Sequence, residues 1–328
     1  MKIHYYFRNK LVGYSIQMVF QTIVNQVGEL APIKITYLPS PLANAIAIIK
    51  NGIYARKRQN KGEINHITGD VHYLLYFLKS KKTIVTVHDI MYYHYLHGIK
   101  KWLWKVLYIY PLRKAAFVTF ISDFAKQQVL ETIHLHENKM KIIPNPVNPN
   151  FRFTFKRFNA SKPRILHIGT MKRKNLHRTI LALKDIACHL RIIGHIDSET
   201  IRLLHENNID YSNSFDLNEN QLIQEYQEAD IINFPSLFEG FGMPIIEGQT
   251  VGRVVVTSNL SPMKEVAGNG AFLVNPLSVD EIRKAYSKII ASEDLRDLLI
   301  RRGVENSSYY AASKIAREYM QIYQLLQQ

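Results

Sequence analysis

Residues 230–247 read DIINFPSLFEGFGMPIIE. An apolar, β-rich run ending at Phe234 meets a proline, then a turn with Gly240 and Gly242, then an apolar stretch opening on Met243 and Pro244. Proline suits a first helical turn, where its missing N–H would go unpaired in any case, so the segment reads strand, glycine turn, helix. Backbone amides at such a helix start make a natural phosphate site. Glu239 stands just ahead of the helix and Glu247 inside it, so the pair can reach two parts of one ligand, and carboxylates accept hydrogen bonds from sugar or ribose hydroxyls. Alone, Glu239 would serve equally well as a helix-capping acceptor.

Outward from this segment, short apolar runs alternate with longer amphipathic stretches, the pattern of parallel α/β layers. Strands are expected at 2–7, 34–38, 83–87 and 117–121 in the first half, and at 164–169, 190–194, 230–234, 254–258 and 271–274 in the second. A chain of 328 residues suits two domains. The proline-rich stretch PNPVNPNFRFTF (144–155) reads as the linker, giving domains 1–150 and 151–310. KIAREYMQIYQLLQQ at the end has apolar residues at 315, 319, 322, 323 and 326, a helix over 311–328 expected to pack back on the first domain.

Hydrophobic residues at 47% and charged ones at 21% exclude a disordered chain. The lone Cys188 cannot form an internal disulfide, and Arg8 and Lys10 interrupt the start where a secretory leader would be apolar, so a cytoplasmic setting is expected. The best apolar run, PLANAIAII, is broken by Asn44 and ends at Lys50, far short of a bilayer span. The net charge of +15 is unevenly divided: residues 1–150 hold 20 Lys and Arg against 7 Asp and Glu, and the rest is nearly balanced. An excess confined to one domain points to an anionic surface, with plain solubility as the alternative.

Three further segments bear on chemistry. HIGTMKRKNLHRTILAL (167–183) reads strand, glycine turn, basic cluster, helix, and Lys172, Arg173 and Lys174 beside a helix start would neutralise a diphosphate. A basic triplet elsewhere would be ordinary solvated surface. TIVTVHDI puts His88 and Asp89 at a strand end, the ligand edge of an open α/β sheet. LVGYSIQMVF places Gly13 before a helix.

The string at Pro235, Ser236, Glu239, Gly240, Phe241, Gly242, Pro244 and Glu247 resembles the signature of the family 4 retaining glycosyltransferases, and the likeness extends over 160–310. It implies the GT-B fold, two Rossmann-like α/β domains facing across a cleft. It also implies transfer from a nucleotide sugar to a glycan or lipid-linked acceptor with retention of configuration, in bacterial surface polysaccharide synthesis. By this resemblance Glu239 contacts the donor sugar, Glu247 holds the ribose, and Gly169, Thr170, Arg173, Lys174 and Asn175 form the phosphate loop. Phe241, Gly242 and Met243 line the donor, His88 faces the sugar, and Gly13 marks the glycine loop of the first domain. Many relatives carry an arginine where this chain has Thr170, so the division between Arg173 and Lys174 stays open.

No Asp-x-Asp pair is present to hold a cation on the diphosphate, so no metal or other cofactor is expected. Walker, zinc and G-x-S-x-G patterns are missing too, which removes kinase, zinc-enzyme and hydrolase readings. A sugar epimerase on the same fold is an alternative. The basic half raises a nucleic-acid module, but charge alone carries no such specificity, and nucleic acid is not an expected partner. HGIKKWLWKVLYIYPLRKAAF (97–117) has Ile99, Leu103, Val106, Leu107 and Tyr110 at helical spacing with Trp102 and Trp104 among lysines. With the basic run YARKRQNKG (54–62) it suits peripheral docking on an anionic membrane. A core helix with a basic outer side is the alternative.

Overall fold

The computed structural model describes residues 1–327, apart from the side chain of Tyr14; Gln328 lies outside the described residues. The chain divides into two compact units, Met1–Pro146 with Ala312–Gln328, and Val147–Ala311. The change falls at Val147, ahead of the boundary read from the sequence, because the Val147 N–H already donates to the Tyr310 carbonyl of the second unit at 2.9 Å.

The first unit runs β1 (Ile3–Phe7), α1 (Tyr14–Gly28), β2 (Ile33–Tyr37), α2 (Ala45–Arg58), β3 (Ile64–Ile67), β4 (Thr83–Val87), α3 (Met91–Tyr95), α4 (Gly98–Trp104), β5 (Phe117–Phe120), α5 (Asp123–Leu130) and β6 (Met140–Ile142). Its six parallel strands lie in the order β2-β1-β3-β4-β5-β6. β1 and β4 are buried along their whole length, as parallel strands covered on both faces must be.

The second unit runs β7 (Arg164–Ile168), α6 (Leu176–Leu183), β8 (His189–Ile193), α7 (Ser198–Glu206), β9 (Tyr211–Ser214), α8 (Glu219–Glu228), β10 (Ile231–Phe234), α9 (Met243–Thr250), β11 (Val254–Ser258), α10 (Met263–Ala267), β12 (Phe272–Val274), α11 (Val279–Ala291) and α12 (Glu293–Ser307). Its parallel strands lie in the order β12-β11-β10-β7-β8-β9. Each sheet reverses its strand order once, between β1 and β3 in the first and between β7 and β10 in the second. Open α/β sheets bind ligands at the carboxyl ends of strands beside such a reversal.

The last helix, α13 (Ala312–Gln327), belongs to the first unit. Its buried Ile315, Tyr319, Ile322 and Tyr323 face α1 and β3. A buried chain of polar groups fixes it there. Tyr323 shares hydrogen bonds with Tyr5 at 2.9 Å and His66 Nδ1 at 2.7 Å, and His66 Nε2 meets Thr86 at 2.8 Å. Burial, with His88 nearby, holds His66 down at about 3, so the ring stays neutral. In a medium of low dielectric such a chain binds firmly only when every member is satisfied.

The segment 97–117 departs from the single amphipathic helix expected of it. α4 gives way to a π turn at Lys105–Ile109 and a 3-10 turn at Tyr110–Lys114 containing Pro111. A π turn takes in one more residue than an α turn, which rotates everything after it. Tyr108, Ile109 and Leu112 therefore enter the core, with Trp104, Leu107 and Tyr110 packed against it. Only Ile99, Trp102 and Leu103 stay exposed among its large apolar side chains.

Candidate active site

At the reversal of the second sheet, the loop after β7 meets the loop after β10. Gly169 follows β7 with φ +87°, and a Cβ there would stand 3.1 Å from Lys174 Cγ and Cε, so the glycine lets the lysine lie across the strand end. Thr170 donates to the His195 carbonyl at 2.5 Å. Lys172–Lys174 form a 3-10 turn that ends on Asn175, left-handed at φ +65° and the N-cap of α6.

Asn175 is buried and does not offer its side chain to a ligand. Its Nδ2 donates to the carbonyls of Pro235 at 3.0 Å and Pro276 at 2.6 Å, and its Oδ1 accepts from Arg178 at 3.0 Å. The residue binds the two loops together. The Leu237 N–H donates to the Arg173 carbonyl at 2.8 Å, and Arg173 Nη1 donates to the Phe238 carbonyl at 3.2 Å, so the basic loop and the glutamate loop are held in register.

The charged groups converge on this frame. Glu239, only 7% exposed, holds Arg173 Nη1 at 2.5 Å on one oxygen and Lys174 Nζ at 2.7 Å on the other. The Lys174 ammonium lies 4.5 Å from the centre of the Phe234 ring. Burial lowers the Lys174 pKa, and the charge and hydrogen bond of Glu239 oppose that shift.

Gly242 caps α9 at φ +114°, where a Cβ would meet Ile245 Cδ1 at 2.9 Å, and Met243 and Pro244 begin the helix. Glu247 lies one turn further on, and the Tyr226 hydroxyl of α8 donates to it. Burial pushes Glu247 up to about 7, against the pull of Tyr226 and of the Lys174 charge. Phe241 is buried edge-to-face with Tyr310, ring centres 5.8 Å apart, and so packs the loop from inside.

Tyr226 is the participant that the sequence reading missed. It lies in LIQEYQEAD, where helical spacing alone makes it a core aromatic; only the fold reveals that its hydroxyl ends at Glu247. His88 and Gly13 lie in the first unit. His88 follows β4, and its Nε2 donates to the Thr68 carbonyl at 2.9 Å, leaving Nδ1 as the acceptor of a ring kept neutral by burial. Gly13 is the N-cap of α1 beside Arg8. Among the described residues, no group of three His, Cys, Asp or Glu is arranged to hold a metal ion.

Two carboxylates and two cations thus meet at a sheet reversal, on segments tied by Asn175. Residues 150–305 match the model of group 1 glycosyl transferases, and residues 32–151 match the model of glycosyltransferase family 4. The chain has the GT-B fold, and each model matches one part of it. The O-antigen chain mannosyltransferase RfbU of Salmonella typhimurium is 26% identical over 228 residues, which cover 66% of this chain and 62% of that protein. Sucrose-phosphate synthase from Thermosynechococcus elongatus superposes with a TM-score of 0.82 at 16% identity, covering 99% of each chain. HepE of Anabaena, solved with UDP and glucose, superposes at 0.78 with 14% identity, over 99% of this GT-B chain and 100% of that one.

Proposed function

We propose that this protein is a retaining glycosyltransferase of hexosyl type, which moves a sugar from a nucleoside diphosphate sugar to a hydroxyl of a glycan or lipid-linked saccharide during synthesis of a bacterial surface polysaccharide. The observation that carries the reading is the meeting of Arg173, Lys174, Glu239 and Glu247 at the reversal of the second sheet. The donor diphosphate competes with Glu239 for the two cations, which then stabilise the charge that develops as the sugar leaves. Glu239, once displaced, orients the sugar hydroxyls, and Glu247 accepts from the ribose. His88 is assigned a sugar-orienting role.

Breaking the bond from the anomeric carbon to the diphosphate leaves an oxocarbenium-like centre. The acceptor hydroxyl attacks the same face, and its proton passes to the leaving phosphate oxygen, so the step calls for no protein base and no metal. The mannosyltransferase relative and the UDP and glucose bound by HepE support this class of donor chemistry.

The first unit is assigned a place on an anionic membrane. Exposed Ile99 and Trp102 beside Lys100 and Lys101 support it, each basic residue near such a surface contributing about 1 kcal/mol. No described helix is long and apolar enough to cross a bilayer. Vesicles of phosphatidylglycerol should pellet the protein and release it in high salt, and neutral vesicles should not.

A panel of nucleoside diphosphate sugars read by thermal shift tests the donor, since a ligand at a hundred times its Kd adds about 2.7 kcal/mol to stability. If no member of the panel shifts the melting point, the transferase reading falls. Nuclear magnetic resonance of the product formed from the stabilising donor tests the stereochemistry, and an inverted anomer would remove the retaining assignment.

A further inference from the structure

A groove of about 550 Å³ opens in the first unit at the reversal of its sheet, where the loops after β1 and β3 supply Arg8 and Asp70. Its floor is Ile48, Val71, Tyr73 and Tyr108, all buried. Its walls are α2 on one side and α3 to α4 on the other, with Trp104 stacked on Tyr108 at 4.9 Å between ring centres. At the mouth, Leu42, Tyr92 and Leu103 line the groove and are at the same time 60%, 61% and 46% exposed. Further out, α2 carries exposed Ile46, Ile49 and Ile53, and α4 carries exposed Ile99 and Trp102. Large apolar side chains left exposed together at one mouth, as Leu42, Tyr92 and Leu103 are, mark a binding surface.

The dimensions and charges select the occupant. A helix about 10 Å across would fill this volume in roughly 7 Å of its length, under five residues, too little for a docked helical segment. A methylene takes about the space of a water, ~30 Å³, so the groove holds a chain of on the order of fifteen to twenty carbons. Three charged side chains line it. Arg8 and Asp70 are paired at 2.8 Å, while Lys100 at the rim has no ion-pair partner among the described residues. An apolar trough with one unpaired cation at its edge complements an aliphatic chain ending in a phosphate.

We propose that this groove receives the hydrocarbon chain of an acceptor whose lipid is joined to its saccharide through phosphate, with Lys100 meeting the phosphate. The assignment rests on the transferase reading above and adds to it the chemical class of the acceptor and the place that recognises it. Membrane docking by the outer apolar row is a separate event. The groove takes a single chain out of the lipid phase and leaves the attached phosphate and saccharide at its mouth.

The chain has two tryptophans, so Trp102→Phe leaves Trp104, in the groove wall, as sole reporter. Full-length protein carrying this change is titrated with decyl phosphate below its micelle concentration, with decanol, and with inorganic phosphate. Decyl phosphate should change Trp104 emission saturably, and inorganic phosphate should not. Leu103→Glu, at an exposed position, should weaken decyl phosphate binding tenfold or more while leaving the melting point in place, and Lys100→Ala should bring decyl phosphate down to the affinity of decanol. Nucleoside diphosphate sugar binding is measured on the same samples. No saturable response, or unchanged binding in Leu103→Glu with nucleotide binding intact, overturns the groove and leaves the transferase reading standing. A response to phosphatidylglycerol vesicles without one to decyl phosphate likewise overturns it in favour of simple membrane contact. Chain binding by a protein that takes no nucleotide sugar overturns the acceptor role together with the transferase reading.

Discussion

Lys174 Nζ sits 2.7 Å from Glu239 while Arg173 Nη1 holds the other oxygen of the same carboxylate at 2.5 Å. One anion of the chain thus occupies the two cations assigned to the donor diphosphate, and the three side chains act as a unit.

Glu239→Gln should separate binding from transfer. Without the carboxylate, Arg173 and Lys174 are free for phosphate, so UDP or GDP should bind as tightly as to the wild type or more tightly. Transfer should fall on the order of a hundredfold or more, because a contact strengthened in the transition state is gone. Calorimetry and an initial-rate assay check the two halves, and near-normal turnover would sink the site assignment.

Lys174→Ala should weaken nucleotide binding and lower the rate together. The change leaves Glu239 to Arg173 and removes the ammonium over Phe234. A variant that binds nucleoside diphosphates with wild-type affinity would transfer the phosphate role to Arg173.

Glu247 carries a pH signature. Its folded value of about 7 lies above the ordinary 4.5, so the native state binds more protons than the unfolded one between those values. Stability from this group is therefore lost as pH rises from 4.5 to 7, by roughly 3 kcal/mol at most. Denaturation of wild type and Glu247→Gln across that window should diverge accordingly. If the carboxylate accepts from a ribose, nucleotide affinity should rise as pH passes 7, and Tyr226→Phe, which removes a donor to the carboxylate, should move that midpoint higher. A midpoint identical in Tyr226→Phe would show that the hydroxyl does not tune the glutamate.

Tyr323→Phe should destabilise the first unit by about 1–3 kcal/mol, since it leaves His66 Nδ1 and the Tyr5 hydroxyl buried without their shared partner. Nucleotide binding, assigned above to the second unit, should be unchanged. Urea titration alongside calorimetry tests both statements.

What the sequence revealed follows from where the physics is local. Strands buried on both faces, such as VVVTS and TIVTV, announce themselves as apolar runs, and their bounds match the structure residue for residue. β3, β6 and β9 escaped notice for different reasons. INHI is central, but its two polar residues are satisfied by Tyr323, Thr86 and Tyr6, partners far away in sequence. MKI and YSNS are edge strands, where burial does not enforce an apolar pattern. At the site, Arg173, Lys174 and Glu239 in strand-end loops and Glu247 inside the following helix were singled out by the family resemblance, and the structure brings the four together. The bracing by Asn175 and Tyr226 was not legible, since each reaches a partner 20 or more residues away. The π turn in 105–109 was equally hidden, because Ile99, Leu103, Val106, Leu107 and Tyr110 keep the spacings of an unbroken helix.

The return of α13 to the first sheet also sets the order in which the molecule can be completed. The second unit is one unbroken run, Val147–Ala311, and can close as soon as it leaves the ribosome. The first must wait for Ala312–Gln327, so during translation Phe20, Tyr5 and His66 lack the helix that covers them until that segment is made. At about 5–20 residues per second that interval lasts on the order of ten to thirty seconds. The half that is born first therefore folds last, and it is this half, with its uncovered aromatic face, that a chaperone or a growing aggregate would find.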